Sequence, residues 1–124
     1  MIHLDTHVVN WLSGGKPNQL SAKARTLIER EPVCISPMVV LELETLFECG
    51  KTRRDPTKTL RTLESSMSLE ISQTPFAIVV QAARAFAWTR DPFDRLIVAN
   101  AISDGVRLIT ADHMILTNFK DAVW

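Results

Sequence analysis

Short apolar runs alternate with longer segments of helical spacing along this chain. The runs have the length of buried strands and are bounded by polar or turn residues. They predict β-strands at 1–5, 33–36, 69–72 and 107–110, and a last short strand at 122–124.

Four helix starts share one signature, a capping side chain followed by proline. A Ser, Asp or Thr oxygen accepts a free backbone N–H, and proline at the first helical position loses no hydrogen bond. Further helices are expected after Asp5 and Ser21. The order β-α-α-β-α-α-β-α-α-β-α-β predicts an α/β protein with a parallel sheet and helices on both faces. The four pairs are Ser36-Pro37, Asp55-Pro56, Thr74-Pro75 and Asp91-Pro92.

Composition narrows the class of protein. A chain of 124 residues with 46% hydrophobic residues fits one globular domain, 1–124. No apolar run approaches the ~18 residues of a membrane span, and we expect no signal peptide. Cys34 and Cys49 are expected to be reduced, packed thiols of a cytoplasmic protein.

Charge is balanced overall but uneven along the chain. The 14 basic and 14 acidic residues cancel, which argues against a protein that coats nucleic acid through bulk charge. One stretch is locally basic, with only Asp55 opposing. It is either a solvated loop and helix face or a phosphate-contacting or partner surface. Its members are Lys51, Arg53, Arg54, Lys58 and Arg61.

Four acidic residues stand where an α/β fold places a ligand. Asp5 ends the first strand and Asp112 directly follows the fourth, while Glu42 and Asp94 lie near the starts of two helices. Ligands of open parallel sheets bind outside the carboxyl ends of the strands. Carboxylates gathered there repel one another unless a cation lies between them, and a hard divalent ion is the usual one. Thr6, Ser36 and Thr110 are expected near the same edge, able to hydrogen-bond carboxylates or metal-bound water.

Each acid also has a simpler structural interpretation. Asp5 and Asp112 could each cap the next helix, and Asp91, just before a helical proline, suits an N-cap. Asp94 projects with the apolar side of a helix expected to be largely buried, where an unpaired carboxylate is costly. Glu42 borders the predicted apolar stripe of Val39, Leu43, Leu46 and Phe47, whereas Glu44 and Glu48 lie on the opposite flank. His3, His7 and His113 have no metal-ligand spacing and are interpreted as structural.

The motifs resemble the PIN-domain ribonucleases, especially VapC-type toxins of bacterial toxin–antitoxin pairs. The similarity covers essentially the whole chain. It is carried by Leu4-Asp5-Thr6-His7, Ser36 to Glu42, Arg90-Asp91-Pro92-Phe93-Asp94-Arg95-Leu96-Ile97, Leu108-Ile109-Thr110-Ala111-Asp112 and the terminal Val123-Trp124.

The resemblance implies a three-layer α/β/α sandwich with a mostly parallel central sheet. It implies an endoribonuclease dependent on Mg²⁺ or Mn²⁺, with Asp5, Glu42, Asp94 and Asp112 as catalytic acids and Asp91 in support. The metal would be held by Asp5, Asp94 and Asp112, and hydrolysis by a metal-activated water needs no protein nucleophile. Expected partners are RNA, a small cognate antitoxin and a second copy of the chain. Because the region after Glu42 is unusually acidic, Glu44 remains a rival for the glutamate role.

Two other classes of α/β protein with an acidic metal site require acids that this chain lacks. An aspartate-nucleophile phosphatase requires a second Asp two residues after the first, where this chain has His7. A phosphotransfer receiver requires an acidic pair near the first strand, which is absent. A non-catalytic PIN-fold binding module and a related DNA nuclease remain alternatives.

Overall fold

The computed structural model describes residues 1–124 and contains five short strands and seven α-helices in the predicted order. The strands are β1 Ile2–Leu4, β2 Val33–Ile35, β3 Glu70–Ile71, β4 Arg107–Ile109 and β5 Ala122–Val123. The helices are α1 Thr6–Ser13, α2 Ala22–Arg30, α3 Pro37–Glu48, α4 Pro56–Met67, α5 Phe76–Ala83, α6 Pro92–Asp104 and α7 His113–Asn118.

The strands form one five-stranded sheet in the order β3-β2-β1-β4-β5, and all four pairings are parallel. Helices flank this sheet, so the α/β/α expectation is confirmed, with the sheet wholly rather than mostly parallel. The chain runs from β1 outward to β3, then returns to place β4 on the other side of β1. The order therefore reverses between β1 and β4, and such a reversal opens a crevice at the carboxyl ends of the two strands.

The core lies between the sheet and its helices. It is built from 19 buried apolar residues, among them Ile2 and Leu4 of β1, Ile35 of β2 and Ile109 of β4, all 0% exposed. The strands β1 and β2 are buried at every position and β4 at two of three, and buried strands read as largely apolar runs, whereas the edge strands β3 and β5 are exposed or half-buried. The longest helix, α6, has 13 residues, and none of the helices has the length and apolar character of a membrane span.

Four of the predicted strands extend one polar residue too far. Asp5, Ser36, Ser72 and Thr110 lie just past the ends of β1 to β4. The oxygens of Asp5 and Ser36 accept backbone N–H groups of the following helices, and the Ser72 and Thr110 hydroxyls bond other side chains. A polar residue at the end of an apolar run is thus better interpreted as a cap or a site residue than as a last strand position.

Two local predictions are wrong. Thr74 caps nothing: α5 begins at Phe76, Pro75 occupies the cap position, and the Thr74 hydroxyl donates to Asp104 instead. Phe47 of the predicted apolar stripe is 39% exposed, whereas Val39 and Leu43 are buried. Asp104, 30 positions away in sequence, accepts the Thr74 hydroxyl, and the residues after Leu46 in α3 are exposed.

The two cysteines differ in environment. Both are free thiols; Cys34 is buried in β2, and burial raises its pKa to about 11. Cys49 is exposed at the C-terminal end of α3. The expectation of a packed thiol therefore holds for Cys34 and is wrong for Cys49.

Candidate active site

Asp5 occupies the crevice between β1 and β4 and is 3% exposed. Its backbone N–H donates to the Ile109 carbonyl at 3.0 Å, which continues the pairing of the two strands. Its Oδ1 accepts the N–H of Thr6 at 2.8 Å, and its Oδ2 accepts the Thr110 hydroxyl at 2.6 Å. A carboxylate held by two donors has a fixed orientation and keeps further lone pairs for a ligand.

Asp112 is joined to Asp5 through Thr110. The Thr110 hydroxyl is buried and accepts the Asp112 backbone N–H at 3.0 Å while it donates to Asp5. Asp112 caps α7, since its Oδ1 accepts the N–H of Ile115 at 2.9 Å. The capping interpretation of Asp5 and Asp112 is therefore correct, and it is compatible with a site role because each carboxylate has a second oxygen.

The start of α6 separates the roles of Asp91 and Asp94. Asp91 is exposed and caps the helix, with Oδ1 accepting the N–H groups of Phe93 at 2.8 Å and Asp94 at 3.4 Å. Asp94 is half-buried, and its carboxylate takes part in none of the four ion pairs of the chain. The helix behind it is buried from Ile97 to Ala101, as expected.

The pKa of Asp94 reports the electrostatics of the whole cluster. Burial, as the largest cause, and the carboxylates of Asp5, Asp91, Asp112 and Glu42 together raise it from 3.8 to about 7. Burial disfavours the charged form, and like charges nearby add to that effect. The four acids singled out in the sequence thus act on one another through space.

Glu42 faces the cluster and Glu44 does not. Burial raises the pKa of Glu42, with smaller contributions from Asp5 and Asp91, while the Thr6 hydroxyl lowers it. The Thr6 hydroxyl is itself buried without a partner at full hydrogen-bonding geometry. Glu44 is exposed on the outer side of α3. The helical-wheel choice of Glu42 agrees with this placement.

Ser36 follows β2, beside β1 in the sheet, but hydrogen-bonds none of the acids. It is buried, it caps α3 by accepting the Met38 N–H at 3.2 Å, and it lines a separate apolar cavity of about 260 Å³. None of the five surface cavities is lined by Asp5, Glu42, Asp94 or Asp112. Of the supporting residues, Thr6, Asp91 and Thr110 contact or influence the acids, and Ser36 acts as a cap.

The donor set suits a hard divalent cation, although no three of these side chains stand at metal-ligand spacing in this structure. The four acids offer carboxylate oxygens, no Lys or Arg is paired with any of them, and the His7 ring lies 3.5 Å from Asp5. Repulsion keeps uncompensated carboxylates apart. Oxygen ligands with excess negative charge are what Mg²⁺ and Mn²⁺ require.

His7 is a site contact that sequence reasoning did not identify. Its Nε2 accepts the Ala111 N–H at 2.8 Å, which places the ring proton on Nδ1, 3.5 Å from Asp5 Oδ2. The ring packs edge-on against Trp11, with centroids 4.9 Å apart, and Trp124 packs against both rings. Its position two residues after Asp5, in the first turn of a helix, was the available signal.

The other histidines are structural or peripheral. His3 is fully buried, and its Nε2 lies 2.8 Å from Asp104 Oδ2. Burial lowers the pKa of His3 although Asp104 opposes the change. Ser72, Thr74 and Asn100 also donate to or surround Asp104, so this cluster ties β1, β3 and α6 together. His113 is exposed at the start of α7.

The predicted basic residues lie outside the acidic cluster. Arg53, Arg54 and Lys58 line a separate cavity of about 350 Å³. Lys51 and Arg61 are exposed and do not line it. Three cations of the basic stretch therefore line one cavity, and the other two lie outside it on the surface.

A fully parallel sheet with acids at its β1/β4 crevice defines an α/β protein with an acidic ligand site. The PIN domain family model matches residues 2–120, and the chain belongs to the PIN domain family. Among solved structures, it is similar to a chain in the crystal structure of VapBC2 from Rickettsia felis bound to a DNA fragment from their promoter. That match has a TM-score of 0.69 and 17% identity, and covers 99% of this chain and 96% of the other. No curated protein matches the sequence.

Proposed function

We propose that the protein is a Mg²⁺- or Mn²⁺-dependent endoribonuclease and the toxin of a toxin–antitoxin pair. The observation that carries the proposal is the gathering of carboxylates at the β1/β4 crevice: the Thr110 hydroxyl bonds Asp5 and the Asp112 backbone, and burial with four neighbouring carboxylates raises the pKa of Asp94 to about 7. Perturbed acids at a strand-end crevice are the mark of a functional site. Because the chain belongs to the PIN domain family, we infer that the substrate of this site is a nucleic acid.

Asp5, Asp94 and Asp112 would hold the cation, and Glu42 would support the reaction beside it. When bound, the metal would neutralise phosphate charge and lower the pKa of a coordinated water. Asp5 is oriented for this by Thr6 and Thr110. Glu42 is half-buried and its pKa is raised, mainly by burial, and in the proposed reaction it would take up a proton or orient the attacking water.

Cleavage of RNA tests the proposal. Purified protein is incubated with several structured RNAs in Mg²⁺, Mn²⁺ or EDTA, beside the Asp94→Asn variant. We expect cleavage by the wild type with metal only, and little by the variant. Cleavage that persists in EDTA, or no cleavage of any RNA with either ion, would reject a metal-dependent ribonuclease. Equal cleavage of DNA would assign a less selective nuclease.

Two protein partners are part of the proposal. The similar structure is a VapBC complex, and an antitoxin arginine or lysine entering the acidic cluster would pair with carboxylates that lack cationic partners. A second copy of the chain would cover apolar side chains on α3 and α5, where Leu41, Phe76 and Ile78 are 53%, 63% and 54% exposed. We place the protein, as one domain 1–124, in the cytoplasm. Light scattering that shows a monomer at working concentration would remove the homodimer.

A further inference from the structure

A cavity of about 350 Å³ lies between the end of α1 and the start of α4, and no hydrophobic residue lines it. Three of its lining residues are cations, against one acid, Asp55. Asp55 is already engaged, because its Oδ1 accepts the Lys58 backbone N–H at 3.1 Å as the cap of α4. The cavity therefore carries a net charge of about +2 in a chain whose formal net charge is zero. Its lining residues are Ser13, Arg53, Arg54, Asp55, Lys58, Thr59 and Thr62.

The three cations have no acidic partner. None of Arg53, Arg54 and Lys58 takes part in any of the four ion pairs of the chain. The Nε of Arg54 is buried and makes no hydrogen bond. A buried donor without a partner is costly, and such groups call for an explanation such as a missing ligand. The hydroxyls of Ser13 and Thr62 donate to backbone carbonyls, so the side-chain donors left for a ligand are the three cations and the Thr59 hydroxyl.

Gly14 makes room for Arg54. A Cβ at position 14 would lie 1.7 Å from Nη1 and 2.5 Å from Cζ of Arg54, so any side chain there would displace the guanidinium. The backbone of Gly14 has φ −83° and ψ 1°, which other residues also adopt. A side chain at position 14 would therefore shift the end of the flexible Arg54 side chain, while the backbone conformation itself does not require glycine. The guanidinium thus rests on the C-terminal end of α1, where the helix dipole favours a cation.

We propose that this cavity is a phosphate subsite, in which Arg54, seated against Gly14, binds a backbone phosphate of the RNA together with Arg53 and Lys58. The inference rests on the proposed ribonuclease function and names a second contact for its substrate. α1 carries the acidic cluster at its first residues and the cavity at its last, about 12 Å apart over eight residues. That distance corresponds to three or four nucleotides of a stacked strand at about 3.4 Å per phosphate.

A nucleic-acid phosphate fits better than a protein partner. Peptide-binding surfaces use apolar or aromatic anchors in their centres, and this cavity has none. Arginine forms paired hydrogen bonds to phosphate oxygens and lysine supplies a point charge. A phosphate site without base-reading groups would bind RNA with little sequence preference.

Binding in EDTA tests the subsite without any cleavage. A fluorescent single-stranded RNA is titrated by anisotropy over a range of salt concentrations, with wild type, Arg54→Gln, Gly14→Ala and the double variant. Arg61→Gln is the matched control, because Arg61 lies exposed on α4 outside the cavity. Thermal melts establish that each variant is folded.

We expect Arg54→Gln to weaken binding by roughly fivefold and to reduce the slope of log K against log salt by about 0.7, the loss of one phosphate contact. Gly14→Ala keeps every charge and should weaken binding similarly, yet add little to Arg54→Gln in the double variant. Arg61→Gln should change binding far less.

Three results would overturn the subsite. The first is an Arg54→Gln variant that loses no more RNA affinity than Arg61→Gln. The second is a Gly14→Ala variant that binds RNA as tightly as wild type. The third is competition by poly-glutamate that equals competition by RNA of equal charge, which would assign the cavity to an acidic polypeptide. These outcomes are independent of the cleavage assay. If the binding results reject the subsite but metal-dependent cleavage is observed, the ribonuclease proposal is retained. If no cleavage is observed but Arg54→Gln weakens RNA binding as expected, the subsite is retained.

Discussion

The Thr110 hydroxyl donates a 2.6 Å hydrogen bond to Oδ2 of Asp5 across 105 positions of sequence. The same hydroxyl accepts the backbone N–H of Asp112 at 3.0 Å. One buried side chain therefore orients the first acid of the cluster and positions the segment that carries the last. A supporting hydrogen bond of this kind holds a ligand carboxylate in a single orientation.

Thr110→Val tests this link, because valine keeps the shape and removes the hydroxyl. Asp5 Oδ2 and the Asp112 N–H then each lose a partner, so we expect a loss of about 1–3 kcal/mol in the free energy of unfolding. RNA cleavage should fall by about 10–100-fold. The control is Thr117→Val, since Thr117 is exposed and its hydroxyl bonds its own helix at His113. Equal effects of the two variants on cleavage would remove Thr110 from the site.

Asp94→Asn should stabilise the metal-free protein at high pH. The folded pKa of Asp94, about 7, is above the ordinary 3.8, so the folded state disfavours the ionised form. This penalty is fully present above pH 7 and is relieved as the pH falls from 7 toward 4. The full shift corresponds to about 4 kcal/mol, and solvent screening of this partly exposed group reduces it to about 2 kcal/mol.

Melting temperatures in EDTA measure this effect. Asp94→Asn should melt several degrees above wild type at pH 8, with the difference shrinking at pH 5. Mg²⁺ or Mn²⁺ should raise the melting temperature of the wild type more than that of the variant. If Asp94→Asn melts far below wild type in EDTA and metal affects neither protein, Asp94 is a structural residue of α6.

Glu42→Gln and Glu44→Gln form a matched pair two positions apart on α3. Burial raises the pKa of Glu42, and Asp5 and Asp91 raise it further, whereas Glu44 is exposed. We expect Glu42→Gln to reduce cleavage by about 100-fold or more, the range of a lost general base, without loss of stability. Glu44→Gln should cleave within about twofold of wild type. Reversed effects in rate measurements would assign the glutamate role to Glu44.

Asp104→Ala should destabilise the fold. Burial raises the pKa of Asp104, but hydrogen bonds from Thr74 and Ser72 and the nearby His3 together lower it below its ordinary value. The stabilisation is present above about pH 4 and is lost as the pH falls through the folded pKa. Removing the carboxylate leaves several buried donors unpaired, so we expect a loss of about 2 kcal/mol or more at pH 7 in urea unfolding. A loss below about 0.5 kcal/mol would mean that the cluster contributes little.

Expression in a bacterium that lacks the partner should arrest growth if the protein is a toxin. The Asp5→Ala and Asp94→Asn forms should permit growth, because each removes a carboxylate from the acidic cluster. Immunoblots confirm equal expression of the three proteins. Equal growth of cells carrying the wild type and both variants would argue against the toxin role, while the cleavage assay would still judge the ribonuclease.

The sequence by itself determined the element order, most helix starts and the four acids. These features depend on residues close together in sequence. A buried strand is a continuous apolar run, and a capping side chain hydrogen-bonds a backbone N–H only a few positions away, so neither depends on distant parts of the fold. Helical spacing alone favoured Glu42 over Glu44. The same local chemistry misassigned Thr74, since Asp104, 30 positions away, competes for its hydroxyl.

Only the tertiary structure decided the pairings that depend on the sheet. The reversal of strand order between β1 and β4 brings the Thr110 hydroxyl to Asp5 and the Ala111 N–H to His7. The packing of α6 brings Asp94 near Asp5 and Asp112. The packing of α4 on α1 brings Arg54 onto Gly14 and separates three basic residues from their neighbours in sequence. Contacts of this kind join residues tens of positions apart, and no local pattern of apolar and polar positions encodes them.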